Sequence, residues 1–311
     1  TGYGIYMFQT SGANVSVSGN YIHGQNKWPG YGMYSSTLSG DVFSMAKITN
    51  NRISIADTAQ SNTSSTTFWY GAFFSNSLFT QVANNSIILR ADGNSTSNSN
   101  RTLYTTSGQY NFYNNNIIGN YMTGGYTVYG FNPSIREADN NNYISNGSSN
   151  PLYYSGAFVD LAAWQTGTSF DSNSLEVMMP FVDMESLRVC NDSLYGMGES
   201  LPYVMNDFEG DPRMTPPCIG ADEFMPPSLF TVGADFSLCD GDTVTYEVFY
   251  FDTVIWNGTD TTTMKDITTP STYVIEAMNA CGSAVDTLVV NAQVQPSLPS
   301  TENICANDMT T

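Results

Sequence analysis

Asp207, Glu209 and Asp211 stand at alternate positions about two-thirds of the way along the 311-residue chain, with Arg213 next in the series. Carboxylate oxygens spaced in this way suit Ca²⁺, a hard cation that gathers oxygen ligands. The same stretch has a structural use, which we take as the expectation: Arg213 pairs with Asp222 or Glu223 and ties down an edge of β-structure. Hydrolysis by paired carboxyls needs them about 5–9.5 Å apart. Residues 1–150 hold five acids, Asp41, Asp57, Asp92, Glu137 and Asp139. Only Glu137 and Asp139 are neighbours, and alternation puts both on one outward face beside Arg136. His23, the single histidine, is read as a loop residue after Ile22. No nucleophile–base pair assembles from these types. The expectation is therefore no catalytic residue and no cofactor, with Ca²⁺ as the one metal to consider.

The elements that would position such groups are set by a recurring phrase: two small polar residues, a variable one, then an aliphatic. It reads Gly19-Asn20-Tyr21-Ile22, Asn50-Asn51-Arg52-Ile53, Asn84-Asn85-Ser86-Ile87, Asn114-Asn115-Asn116-Ile117, Asn141-Asn142-Tyr143-Ile144 and Ser172-Asn173-Ser174-Leu175. A second column precedes it, in which an apolar residue is flanked by aromatics: Tyr3-Gly4-Ile5-Tyr6, Tyr31-Gly32-Met33-Tyr34 and Tyr70-Gly71-Ala72-Phe73. Leu103 before Tyr104 and Val128 before Tyr129 continue it. Two columns in step at a period near 30 residues mark a stack of repeats. Alternation such as Ile53 and Ile55 against Ser54 makes the repeat units strands, not helices. Asn tolerates the positive φ of a sharp corner, and stacked copies can hydrogen-bond along the stack. Asn20, Asn51, Asn85, Asn115, Asn142 and Asn173 are thus expected to form one structural column.

The stacked Asn-x-Ile phrases resemble right-handed parallel β-helix repeats of the pectate-lyase-like superfamily. The segment Asp207-Phe208-Glu209-Gly210-Asp211-Pro212-Arg213 with Ile219-Gly220-Ala221-Asp222-Glu223-Phe224 is similar to the close of secreted Bacteroidota β-helix proteins. It departs in Glu209 and in Cys218, where that close has Asp. The resemblance covers residues 1–225. It implies an all-β fold, a right-handed parallel β-helix followed by a small β-sandwich.

The formal charge of −19 lies almost wholly after residue 150, where 23 of the 28 acids face three of the nine bases. An acidic chain with no basic patch is a poor partner for nucleic acid. No apolar run is long enough to span a bilayer, so direct membrane insertion is not expected. The chain reads as a mature protein or an internal piece of a longer one. The five cysteines, Cys190, Cys218, Cys239, Cys281 and Cys305, make no C-x-x-C pair, which argues against zinc. Cys190–Cys218 and Cys239–Cys281 are the expected disulfides, with free buried thiols as the alternative. Pairing would place the protein in an oxidising, extracellular setting.

Pro226-Pro227 breaks the pattern, and residues 228–295 read as alternating strands with Asp240-Gly241 and Asn257-Gly258 turns. They resemble the Ig-like or PKD-like modules of Bacteroidota surface proteins. Residues 296–311 read as a linker and the start of a further module, since Asn303-Ile304-Cys305 repeats the layout of Ser237-Leu238-Cys239. Asp-Ser/Thr-aliphatic triplets at Thr58, Ser193, Thr243, Thr253 and Thr287 resemble a Bacteroidota O-glycosylation motif. Abundant Tyr, with Trp28 and Trp69 before the aromatic column, suits glycan contact or, equally, packing between coils. The expected function is a non-enzymatic, secreted cell-surface adhesin or structural protein whose rigid face meets glycans or external surfaces. Resemblance adds export by the type IX system, a part in gliding, and other cell-surface or secretion-system proteins as partners. The alternative is a polysaccharide lyase or glycoside hydrolase with an accessory module.

Overall fold

A computed structural model describes residues 2–10, 12, 14–26, 30–41, 43–57, 68–91, 100–121, 124–178, 181–183 and 185–293. The chain divides into two units, one of residues 1–226 with Ala280–Gly282, the other of Pro227–Asn279 with Ser283–Thr311.

Each repeat of the first unit contributes three strands. They are β1 (Gly2–Phe8), β2 (Ser16–Ser18) and β3 (Tyr21–Asn26), then β4 (Gly30–Ser36), β5 (Ala46–Thr49) and β6 (Arg52–Asp57). The third set is β7 (Trp69–Ser75), β8 (Ser77–Ala83) and β9 (Ser86–Ala91). The fourth is β10 (Arg101–Thr105), β11 (Gly108–Tyr113) and β12 (Asn116–Tyr121). The fifth is β13 (Tyr126–Gly130), β14 (Ile135–Asp139) and β15 (Asn142–Asn146), after which come β16 (Leu152–Tyr154) and β17 (Ala157–Phe158).

Every third strand pairs in parallel, giving a first sheet in the order β1-β4-β7-β10-β13-β16-β17, with only the last pair antiparallel. The second sheet runs β14-β11-β8-β5-β2 and the third β15-β12-β9-β6-β3. This all-β arrangement of stacked parallel sheets is compatible with a solenoid. Inward residues line up in columns: Met33, Ala72, Leu103 and Val128 from the first sheet, Ile48, Val82 and Phe112 from the second, Ile53, Ile87 and Ile117 from the third. All belong to one core and are at most 1 % exposed. Burial of each large aliphatic in such a core contributes about 1.5–3 kcal/mol. His23 lies inside β3 and is exposed, so the loop expected there is strand.

The corner before the third sheet divides two tasks between adjacent residues. Gly19, Asn50, Asn84, Asn114 and Asn140 take positive φ, 52–66°. The residue after each forms the ladder: Nδ2 of Asn20 donates to Asn51 Oδ1, Asn51 to Asn85, Asn85 to Asn115 and Asn115 to Asn141, at 2.8–3.0 Å. The expected column is corrected at its end. Asn141, not Asn142, is the fifth rung, and its Nδ2 donates to Asp171 Oδ1 at 3.0 Å. Asn142 sits one position on, paired with Asn116, and Asn173 bonds the Asp139 carboxylate. The cause is Tyr143, which fills the inward place that Ile117 holds in the preceding repeat, while Ile144 faces outward.

The short helix α1 (Leu161–Thr168) opens on Asp160, whose side chain accepts from Ala163 N, and ends at Ser169 with φ 62°. Its buried Leu161 and Trp164 join the same core. The described residues between 175 and 224 then run outside the third sheet. Leu187, Val189, Leu194 and Ile219 cover Ile88, Ile118 and Ile144, so this sheet is apolar on both faces.

In the second unit, β18 (Phe236–Leu238), β19 (Val244–Glu247), β20 (Thr253–Trp256) and β21 (Asp260–Thr261) are followed by β22 (Met264–Ile267), β23 (Ser271–Asn279) and β24 (Gly282–Ala292). A five-stranded sheet runs β18-β24-β23-β20-β21, and β19 pairs with β22 alone. Trp256, Ile275, Ala277 and Leu288 form its buried centre. Residues 296–311 lie outside the described residues.

Candidate recognition surface

The outer face of the first sheet is a wall of aromatic rings. One column runs Tyr3, Tyr31, Tyr70, Arg101, Tyr126, the other Tyr6, Tyr34, Phe73, Tyr104, Tyr129, Tyr153, each aligned by strand register. The two columns stand three residues apart, although alternation would separate same-face residues by two. The extra residue is the glycine of the Tyr-Gly pair, skipped in the pairing register, as in a bulge. Nothing larger fits there: a Cβ on Gly32 would lie 2.5 Å from Ile53 Cγ2, and one on Gly71 2.8 Å from Ile87 Cγ2. Thr102 and Thr127 follow in the later repeats, their hydroxyls donating to Ile118 O and Ile144 O.

Strand spacing sets the ring spacing. Centroids in the second column are 5.1 Å (Tyr6–Tyr34), 5.1 Å (Tyr34–Phe73), 4.4 Å (Phe73–Tyr104), 5.5 Å (Tyr104–Tyr129) and 4.3 Å (Tyr129–Tyr153) apart. Arg101 is the cation of the wall. Its guanidinium lies 4.0 Å from the Tyr129 ring and 4.4 Å from Tyr104, and Nη1 donates to Tyr70 Oη at 3.0 Å. Among the described residues no carboxylate pairs with it. Burial raises the phenols of Tyr31, Tyr70, Tyr104 and Tyr129 above their ordinary value, with Arg101 pulling the last three back. These hydroxyls therefore stay neutral donors and acceptors at any physiological pH. Cross-strand ring pairs contribute about 0.2–1 kcal/mol each to the sheet. That does not account for their exposure: Tyr3, Tyr6, Phe8 and Phe131 are 44–55 % exposed. The exposed rings lie at the two ends of the wall, whereas Tyr70 within it is buried and Tyr31, Tyr34, Phe73, Tyr104 and Tyr129 are half-buried.

Sequence reasoning singled out Trp28 and Trp69 instead. Trp69 is fully buried in the core, and Trp28 lies outside the described residues. The flanking tyrosines of the aromatic column carried the signal, since they recur at fixed distance on both sides of the inward residue.

The acidic stretch forms an ion-pair network in which Arg52, Asp222, Arg213 and Glu223 have side chains at most 10 % exposed and Glu209 is exposed. Arg52 Nη1 and Nη2 grip Glu209 at 2.7 Å, and Nη2 also meets Asp222 at 2.8 Å. Arg213 pairs with Glu223 at 2.9 Å, at 4 % and 0 % side-chain exposure, and bonds Asn50 and Gly220 O. Burial raises the carboxyls of Asp207, Asp222 and Glu223 from their ordinary values, opposed by Arg213, Arg52 and Arg213 respectively. Asp207, Glu209 and Asp222 have oxygens within 4.8 Å of one another, so Asp222, not Asp211, completes the acidic triplet. The guanidinium of Arg52 already supplies the cation there. Glu137 accepts from Asn111 and Tyr113, Asp139 from Asn173, and neither faces the other across a cleft.

The cysteine pairing is corrected. Cys190 bonds Cys281, while Cys218 and Cys239 are free thiols. Cys190 is taken by Cys281, and Cys218 is buried, its Sγ donating to Phe224 O and its backbone N–H to the Glu223 carboxylate. Ala280–Gly282, which carry Cys281, belong to the first unit together with Cys190, whereas Cys239 belongs to the second. Of the triplet hydroxyls, Ser193, Thr243 and Thr287 are on exposed residues and Thr253 is half-buried, while Thr58 lies outside the described residues.

Among the described residues no helix is long and apolar enough to cross a membrane. The disulfide is consistent with an extracellular or periplasmic protein. No protein-family model matches the chain, no curated protein matches it, and no solved structure matches it.

Proposed function

We propose that this chain is part of a secreted, cell-surface adhesin-type protein, a right-handed parallel β-helix whose aromatic wall binds glycans, with an Ig-like module as spacer. The observation that carries the reading is the pair of columns in register over successive strands, one of six rings spaced 4.3–5.5 Å apart, the other of four tyrosines and Arg101. Sugar CH faces pack on rings, and phenol and guanidinium groups bond hydroxyls. Two parallel rows, one of rings and one of tyrosines with Arg101, suit holding a polymer, and neither row includes a carboxylate. The Asp-Ser/Thr-aliphatic triplets fit modification of the exposed hydroxyls.

Glycan-array binding followed by calorimetry tests this. Tyr104→Ala combined with Tyr129→Ala is expected to weaken binding at least about tenfold while leaving the circular dichroism spectrum unchanged. An array with no ligand, or binding untouched by the double substitution, removes the proposal. Turnover assays on pectin, alginate and glycosaminoglycans, with and without Ca²⁺, test the lyase or hydrolase alternative.

A further inference from the structure

Tyr129 and Tyr153 stand directly opposite each other on the paired parallel strands β13 and β16. Their rings are parallel to within 5°, with centroids 4.3 Å apart. The other stacked tyrosine pairs, Tyr3–Tyr31 and Tyr6–Tyr34, are wider, at 4.9 and 5.1 Å. Tyr31–Tyr70 and Tyr70–Tyr104 are tilted by 56° and 53°, and Tyr104–Tyr129 is edge-on at 81°. Phe73, which has no hydroxyl, separates Tyr34 from Tyr104 in the second column. Two neighbours hold the Tyr129 ring in its pose: the Arg101 guanidinium lies 4.0 Å from it, and the Tyr126 ring meets it edge-on at 4.8 Å. Tyr129 and Tyr153 are both half-buried, so part of each ring reaches solvent.

We propose that Tyr129 and Tyr153 form a modification site, at which a haem peroxidase using hydrogen peroxide joins the two rings as dityrosine. Each phenol gives up one electron and one proton. The two phenoxyl radicals couple through a new C–C bond between ring carbons ortho to the oxygens. Each of those carbons then loses its hydrogen as a proton while its oxygen takes one up, and both rings regain aromaticity. Hydrogen peroxide accepts the two electrons and two protons and leaves as water. Two radicals on separate chains must first meet, whereas strand register already holds these rings together, an intramolecular advantage. The bond would tie down β16, which at three residues is the shortest parallel strand of the first sheet. Like a disulfide, it would stabilise by constraining the unfolded chain. The Cys190–Cys281 bond fits the oxidising setting that such chemistry needs. The cross-link does not rest on glycan binding by the wall.

The test is treatment of the full chain at high dilution with a haem peroxidase and hydrogen peroxide, followed by gel filtration and peptide mapping of the monomer. The expected result is dityrosine fluorescence in the monomer and a peptide pair joined through Tyr129 and Tyr153, lighter than its two parts by the hydrogens lost. Tyr129→Phe and Tyr153→Phe keep the rings but cannot form phenoxyl radicals, and each should lower the monomer yield at least about threefold. Tyr126→Phe should leave the yield unchanged. The urea midpoint of the treated monomer should rise above that of untreated protein, and treated Tyr153→Phe should show no rise. Dityrosine confined to dimers and larger species, or a monomer link that joins other tyrosines instead, overturns the proposal. So does an undiminished yield in Tyr153→Phe, and so does an unmoved midpoint in the cross-linked monomer.

Discussion

Asn141 donates its side-chain amide to the carboxylate of Asp171 at 3.0 Å, and with that bond the ladder changes from amide to acid. Asn51, Asn85, Asn115 and Asn141 each accept from one neighbour and donate to the next in the same sense, so the last group needs only to accept. A carboxylate does that, and Asp171 also receives Ser174 Oγ at 2.6 Å, Trp164 Nε1 at 2.8 Å and the Tyr143 hydroxyl at 3.2 Å. Replacing an inner rung should show its cost. Asn85→Ala removes an acceptor for Asn51 and donors to Ile48 O and Asn115, and should destabilise by about 3 kcal/mol in urea unfolding. Asn85→Asp should cost more, because a carboxylate then faces Asn115 Oδ1.

The pH dependence has a definite sign. Burial raises the Asp171 carboxyl above its ordinary value in spite of its four side-chain donors, and Asp207, Asp222 and Glu223 are raised likewise. A raised folded-state value means the folded protein binds protons more tightly than the unfolded one. These groups therefore contribute most below the ordinary carboxylate range and lose that contribution as pH rises through their raised values. Melting temperature should fall as pH rises above the ordinary carboxylate range, and Asp171→Asn should reduce that fall.

Trp69 and Tyr104 separate packing from recognition. Trp69→Ala empties a fully buried site and should lower stability by about 3–5 kcal/mol. Tyr104→Ala removes a half-exposed ring and should cost about 1 kcal/mol of stability, its main effect falling on glycan affinity. Paired unfolding and binding curves distinguish the two.

The thiols give a chemical check on the pairing. Non-reducing peptide mapping should join Cys190 to Cys281. Alkylation of the native protein should label half-buried Cys239 quickly. Cys218 should react only on unfolding, since burial holds its thiol well above the ordinary value.

Much of the stack was legible because its determinants are local. Positive φ at Asn50 or Asn84 and inward Ile53 or Ile87 follow from residue type and spacing. The register slipped at Asn140-Asn141-Asn142, where three identical residues permit two alignments and the inward aliphatic is replaced by Tyr143. Arg213 pairs with Glu223, ten residues on, as a local reading suggests, but Arg52 with Glu209 joins residues 157 apart, which no local pattern reports. Trp69 misled because a large ring beside a Tyr-Gly pair reads the same whether it faces in or out. The aromatic wall needed the one-residue offset at Gly32 and Gly71, a backbone irregularity that strict alternation hides.

Because the amide chain from Asn20 to Asn141 has one polarity and a single acid terminus, its length is not fixed by either end. Splicing a further copy of residues 52–85 after Asn85 would give Asn85 a new recipient and Asn115 a new donor of the same kind. A longer protein could thus arise by duplication inside the column, whereas no duplication of Asp171 would be tolerated within it.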